Sequence, residues 1–353
     1  SVAESFEGSG ATAGADEATG DGSEYAPSAI ALQADEVWVD QRRLSRVVAG
    51  LSHDAGRWRV NLDADQLNGY AEYRPPRALR SGEGGRVYAR LSRLSLPESA
   101  TQGIESLLDK DPQAVPALDI VVDDFQLRDM HLGRIEVEAS NWRTGEIREW
   151  RLDKFRLTNA DARLEATGHW RGVTGGTVRR RAVMDFELDV ADSGQLLERL
   201  ALGPVARAGK GRLRGQISWL GSPLSLDFPT MDGHFNVDIH QGQFLKADPG
   251  IAKLAGVLSL QSLPRRLTLD FRDVFQEGFA FDAFTGDVKI ERGVAYTNNL
   301  RLRGVTAAVL MEGRADIAHE TQDLRVVVVP EINAGTASLA YAAINPAVGL
   351  GTF

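Results

Sequence analysis

The chain contains no cysteine in 353 residues, which removes disulfide scaffolds, thiolate metal sites and cysteine nucleophiles together. It also lacks any run of 18 or more apolar residues, so no segment reads as a membrane-spanning helix. There is no G-x-S-x-G elbow, no phosphate-binding P-loop, no H-E-x-x-H and no loop spaced like a calcium ligand set. Positive charge is absent from one stretch in particular. Residues 1–36 carry Glu4, Glu7, Asp16, Glu17, Asp21, Glu24, Asp35 and Glu36 and not one Lys or Arg. The remainder holds 41 acidic against 40 basic residues, a mixed-sign body without the one-signed basic face that a nucleic acid requires.

The first 34 residues are rich in Gly, Ala and Ser and almost free of large apolar side chains. They cannot bury enough surface to offset their ordering entropy, and a disordered acidic segment is expected there. Gly8-Ser-Gly10-Ala-Thr-Ala-Gly14 follows no strand and has the wrong spacing for a nucleotide loop. The chain begins without Met, signal peptide or anchor and reads as an interior piece of something longer.

From Asp35 onward the pattern has period two. Val37-Trp-Val39, Trp58-Arg-Val60-Asn-Leu62, Phe125-Gln-Leu127, Phe186-Glu-Leu188-Asp-Val190, Phe235-Asn-Val237 and Val288-Lys-Ile290 set apolar residues at every second position. Such strands have one buried and one wetted face. Turn signals at Asn68-Gly69, Gly278, Gly293 and Gly313 separate them. About sixteen short strands make a mainly antiparallel β protein. Helical spacing is confined to Asp192–Leu200, where Asp192 can cap, to Pro249–Leu258, and to a short turn at Ile104–Leu108.

An internal repeat is visible at an offset of 88: Val37, Val39, Leu44, Arg46, Val47, Ala49 and Ser52 align with Phe125, Leu127, Leu132, Arg134, Ile135, Val137 and Ser140. A Trp-led strand follows each hairpin, at Trp58 and at Trp150. Repeated units that stack on their neighbours build an elongated body. The expected division is a β-groove repeat over 35–97, a linker over 98–116, a second repeat over 117–230 with its short helix near 192–202, and a C-terminal β region over 231–353. The last 22 residues, Ile332–Phe353, contain no charge but are broken by Asn345, Pro346, Gly349 and Gly351.

No catalytic constellation emerges, and no enzyme activity, cofactor or metal is expected. Glu187 and Asp189 are the wet side of an alternating strand, not two acids facing each other across a cleft. His234 and His240, six residues apart on one strand, lie about 20 Å from each other, too far to share a metal. What abounds is apolar strand surface. A closed sandwich or a long curved sheet with an apolar groove produces the same alternation. An exposed apolar groove would suit acyl chains, each buried CH₂ contributing about 0.8 kcal/mol.

The run Gly242-Gln-Phe244-Leu245, Pro249-Gly250, Leu258-Ser-Leu260 and Pro264-Arg-Arg-Leu267-Thr-Leu269-Asp-Phe271, with its sequel Gly278-Phe-Ala-Phe281-Asp282, resembles the AsmA-like C-terminal region of the YhdP family. Trp58, Gly69-Tyr70, Leu94-Ser-Leu96-Pro97, Gly168-His-Trp170, Trp219-Leu-Gly221 and Val326–Pro330 agree with it. The resemblance implies a Gram-negative envelope protein, anchored in the inner membrane and projecting into the periplasm. It also implies bridge-like transport of phospholipid toward the outer membrane along an elongated, curved antiparallel β-sheet groove with a few short helices. Envelope proteins are further expected partners. The alternative is a scaffold for outer-membrane protein biogenesis, binding through open strand edges. On the first reading the lipid-facing set is Val60, Leu62, Phe125, Leu127, Phe186, Leu188, Leu267, Leu269, Phe271, Phe279, Phe281, Val288, Ile290, Val326 and Val328. A one-residue register slip would reverse any of these strands.

Overall fold

The computed structural model describes residues 29–39, 42–76, 84–96, 115–144, 147–173, 179–223, 226–245, 278–305, 307–319 and 321–330. The first five strands are β1 (Ala29–Val39), β2 (Arg42–Asp54), β3 (Arg57–Asp63), β4 (Leu67–Arg74) and β5 (Arg86–Leu96). The next five are β6 (Ala117–Leu127), β7 (Met130–Thr144), β8 (Ile147–Thr158), β9 (Ala162–Val173) and β10 (Arg179–Val190). After helix α1 (Ser193–Arg199) come β11 (Ala206–Leu220), β12 (Asp232–Phe244), β13 (Phe279–Glu291), β14 (Val294–Arg303), β15 (Ala307–Asp316) and β16 (Thr321–Pro330). Leu267, Leu269, Phe271, the expected helices at 104–108 and 249–258, and the uncharged C-terminal stretch lie outside the described residues.

All sixteen strands form one open sheet in chain order, each bonded to its predecessor and its successor. Pairing is antiparallel throughout except between β5 and β6, which run parallel. The repeat seen in the sequence survives as structure, because β1 and β6, and the starts of β2 and β7, lie 88 residues apart. Two hairpins turn on Ala55-Gly56 and Arg292-Gly293, with φ of 47° and 74° and of 47° and 78°. Left-handed angles at both turn residues match the right-handed twist of the flanking strands.

Cross-strand partners share a face, so the register defines two surfaces. One runs Val60–Ala71–Ala89–Ile120–Val137–Phe155–Ala166–Phe186–Gly215–Phe235–Val288, each residue opposite the next from β3 to β13. The row one residue on, over β7 to β13, reads Glu136–Arg156–Glu165–Glu187–Arg214–Asn236–Asp287. Apolar and charged faces are thus cleanly separated.

A flat sheet would leave both faces wet. Here Trp170 and Trp219 are 2% exposed and Val122 1%, although no second sheet covers them among the described residues. The sheet therefore curls toward its apolar side, and neighbouring strands bury one another's side chains. Three clusters result. One gathers Val122, Phe125, Leu132 and Ile135, a second gathers Trp150, Trp170, Ala182 and Trp219, and a third gathers Val190, Val237, Ile239, Phe281, Leu302 and Met311.

Curling crowds the inner face, and small residues relieve the crowding. Gly69 pairs with Leu62 and Leu91, Gly168 with Leu152 and Met184, and Gly215 with Phe186 and Phe235. Gly69 sits at φ 142°, and a Cβ there would come within 2.7 Å of the Leu91 Cα. At Gly215 a Cβ would come within 2.5 Å of the Phe235 Cβ and also strike the His234 carbonyl.

At one edge of the curl α1 folds over the strand ends. Asp192 caps it, accepting the Gln195 N–H at 3.0 Å, and Leu196 packs on the third cluster. Arg199 holds the helix down through Asp161 at 2.6 Å and the His131 carbonyl at 2.9 Å.

If small residues permit the curl, Gly215→Val should lower unfolding stability by about 1–3 kcal/mol through overpacking. Gly50→Val, on the wet face with nothing within 4 Å, should change it by no more than about 0.5 kcal/mol. Urea unfolding followed by circular dichroism measures both, and equal effects would contradict the argument.

Candidate functional site

Twelve of the fifteen residues expected to face the groove lie among the described ones, and the register brings them onto one face. Val60 and Leu62 stand opposite Ala71 and Gly69. Phe186 and Leu188 pair with Gly215 and Leu213, and Val288 and Ile290 pair with Phe235 and Gly233. Val326 and Val328 face Met311 and Val309. Phe125 and Leu127 join the Val122 cluster.

Phe279 and Phe281 have the wrong parity for this face in a regular strand. Their partner strand passes Gln241 in the left-handed region, φ 57°, and beyond it the alternation reverses. Phe279 and Phe281 consequently enter the same cluster as Ile239, with Phe281 5.2 Å from Phe244 and 6.3 Å from Phe284 between ring centroids.

Accessibility divides the twelve. Phe125, Phe279, Phe281 and Ile290 are buried by their own chain, whereas Val60, Leu62, Leu127, Phe186, Leu188, Val288, Val326 and Val328 remain half-open. The half-open residues at the middle of the sheet continue the row through Phe155, Ala166, Gly215 and Phe235. Those four were not singled out from the sequence. Their signal was present in strand-wise alternation, but membership of one row depends on register. An open depression of about 1540 Å³ spreads over β8 to β15. Its lining takes in the row from Phe155 to Val288 together with charged members of the adjacent row, including Arg156, Glu187 and Asp287.

The wet face is laced with ion pairs. Glu136 lies 2.7 Å from Lys154 and 3.1 Å from Arg134, and Arg156 reaches Glu165 at 2.8 Å. Lys154 first, then Arg134, hold the Glu136 carboxyl down to about 2 from its usual 4.5. Glu187 and Asp189, the two acids that invited a hydrolase comparison, are both gripped by Arg212, at 3.0 and 2.7 Å. Arg74 and Tyr70 lower Glu72, Asn299 and Asn236 lower Asp287, and the Arg292 N–H and Arg181 lower Asp232. The shifted carboxyls of the described residues all move downward and stay ionised at neutral pH, so none of them is poised as a proton donor. His234 and His240 sit exposed on the wet face, His240 beside Asp238 at 2.7 Å. The described residues contain no group of three or more acids and histidines able to hold a metal ion.

A family model described as YhdP protein matches residues 2–353. The intermembrane phospholipid transporter YhdP of Escherichia coli (strain K12) is 29% identical over 209 residues, which cover 57% of this chain and 16% of that protein. The chain thus spans well under two thirds of that relative's length. No solved structure matches.

A lowered carboxyl pKa means that folding favours the ionised form. The Glu136 contribution is therefore present above about pH 4.5 and is lost as the pH falls toward about 2. Because its partners are partly wet, the contribution should be on the order of 1 kcal/mol. Glu136→Gln should flatten the acid limb of stability over that window in urea titrations, and an unchanged slope would contradict the assignment.

Proposed function

The chain belongs to the YhdP family, and from that premise we propose that it is a segment of a carrier that moves phospholipid between two membranes, holding acyl tails against its apolar face without chemistry. In this reading the segment lies in the periplasm, between inner and outer membrane, and the full-length protein is anchored in the inner membrane. Residues 35–97 and 117–230 serve as successive units of one groove. No helix among the described residues is long and apolar enough to cross a membrane.

One observation carries the proposal: the apolar row crosses eleven consecutive strands, from Val60 to Val288, without a charged residue. A soluble protein keeps an open apolar strip of that extent for a ligand or partner. Tails of about a dozen carbons would gain on the order of 10 kcal/mol gross by leaving water for such a strip, before ordering costs. Continuity across strands also lets a tail move sideways from one row position to the next without re-entering water. The contact residues are the half-open members Val60, Leu62, Leu127, Phe186, Leu188, Val288, Val326 and Val328, with the buried Phe125, Phe279, Phe281 and Ile290 shaping the floor. Leu267, Leu269 and Phe271 complete the proposed set. The named function of the Escherichia coli relative supports this reading.

A carboxylate on the row should stop lipid retention. Phe186→Asp and Phe235→Asp, each kept only if far-UV circular dichroism is unchanged, should lower co-purifying phospholipid at least tenfold by extraction and mass spectrometry. Unchanged lipid in a folded variant would refute the contact assignment, and a retained polypeptide in place of lipid would favour a scaffold role.

A further inference from the structure

The two ends of the strands differ in chemistry. At the end where β3, β8 and β10 begin and β4, β9 and β11 finish, the apolar face carries Trp58, Tyr73, Trp150, Trp170 and Trp219. Between β5 and β11 the opposite end carries Leu96, Leu127, Leu157, Leu164, Leu188 and Leu213, with no Trp or Tyr. The face therefore grades from aliphatic to amphipathic aromatic, the order found from the centre of a bilayer to its interface.

At the aromatic end the apolar face also carries Arg180, on the same side of its strand as Ala182. Arg180 stands 5.6 Å from the Trp170 ring. The arginines that directly follow Trp58, Trp150 and Trp170 stand on the opposite, charged face, Arg59 3.9 Å from Glu72 and Arg151 3.5 Å from Glu149. At the leucine end α1 covers part of the edge, held by the Arg199–Asp161 pair.

An independent observation lies inside the aromatic rim. The Trp150 indole donates to the Pro116 carbonyl at 3.2 Å and that of Trp219 to the Ser222 carbonyl at 2.8 Å. Trp170, 2% exposed, has an indole N–H with no acceptor. It is the one buried side-chain N or O among the described residues left without a hydrogen-bond partner. A buried donor is costly to leave unpaired, and an incoming oxygen would satisfy it.

We propose that this tryptophan rim, with Arg180 beside it, is the headgroup side of the groove, so that each phospholipid lies along the strands with its tail ends among the leucines and its glycerol ester and phosphate oxygens at Trp170 and Arg180. From Leu164 to Trp170 is six residues, about 20 Å of strand. One leaflet's share of a bilayer core is about 15 Å, so a tail fits with room for the glycerol. The proposal rests on the acyl-binding reading and adds an orientation to it: cargo passes along the groove with all headgroups on one side.

Photoreactive lipids test it on the purified chain. Phosphatidylethanolamine bearing a diazirine on its amine should cross-link at least fivefold more to peptides containing Trp58–Arg59, Trp150–Arg151 and Trp170–Arg171 than to those of the leucine end. Phosphatidylcholine with a diazirine at its tail terminus should show the reverse. Tail cross-links on the apolar face with headgroup cross-links shared between both ends, or reversed, would overturn the orientation and leave the acyl-binding reading standing. No cross-link from either probe would overturn both.

The variant Arg180→Glu separates the phosphate from the tails. It should retain several-fold less phosphatidylglycerol yet as much diacylglycerol, which has no phosphate. Equal loss of both lipids would overturn the phosphate assignment, as would displacement of phosphatidylglycerol from the parent chain by millimolar inorganic phosphate, since the site would then serve free anions.

Discussion

Everything in this molecule follows from one sheet having to deal with its own oily side. Sixteen strands in chain order make a single layer, and a layer that is apolar on one face must find cover for it. Sandwiches find it in a second sheet and α/β proteins in helices. This chain curls, and the curl succeeds because glycine and alanine stand between the larger residues: Ala71 and Ala89 next to Val60 and Ile120, Ala166 and Gly215 flanking Phe186. The cover is incomplete. Val122 and Met311 are shielded by their own chain, while Phe186, Phe235 and Val288 are not. That remainder is what a lipid tail would complete.

The wet face is built for the opposite purpose. Its charges neutralise each other at close range, as Glu136 does with Lys154 and Arg134, and Arg212 with Glu187 and Asp189. Local neutrality leaves no one-signed field over most of the surface, and partly exposed pairs add little stability. Their service is to keep one side of every strand in water, which fixes the register, since a slip by one residue would turn charges into the groove.

Much of the fold was legible in the residues. Phe186-Glu-Leu188-Asp-Val190 announces a half-buried strand, the 88-residue offset announces a repeated hairpin, and Asp192 with the leucines after it announces α1. Alternation does not reveal what lies opposite. That Phe155, Ala166, Phe186, Gly215, Phe235 and Val288 form one line depends on hairpin lengths and on bulges. Phe281 illustrates the limit, because its face depends on a left-handed Gln241 in the neighbouring strand. The rim escaped notice for the same reason: Trp58, Trp150, Trp170 and Trp219 are far apart in the chain and meet only at strand ends.

The question of groove against closed core reduces to whether the half-open row is occupied by something other than protein. Native mass spectrometry of the chain purified under mild conditions addresses this most directly. Adducts at phospholipid masses, dissociating on activation to leave the intact folded chain, are the predicted result. A bare chain with no lipid adduct, under conditions where a known lipid carrier retains its cargo, would contradict the account.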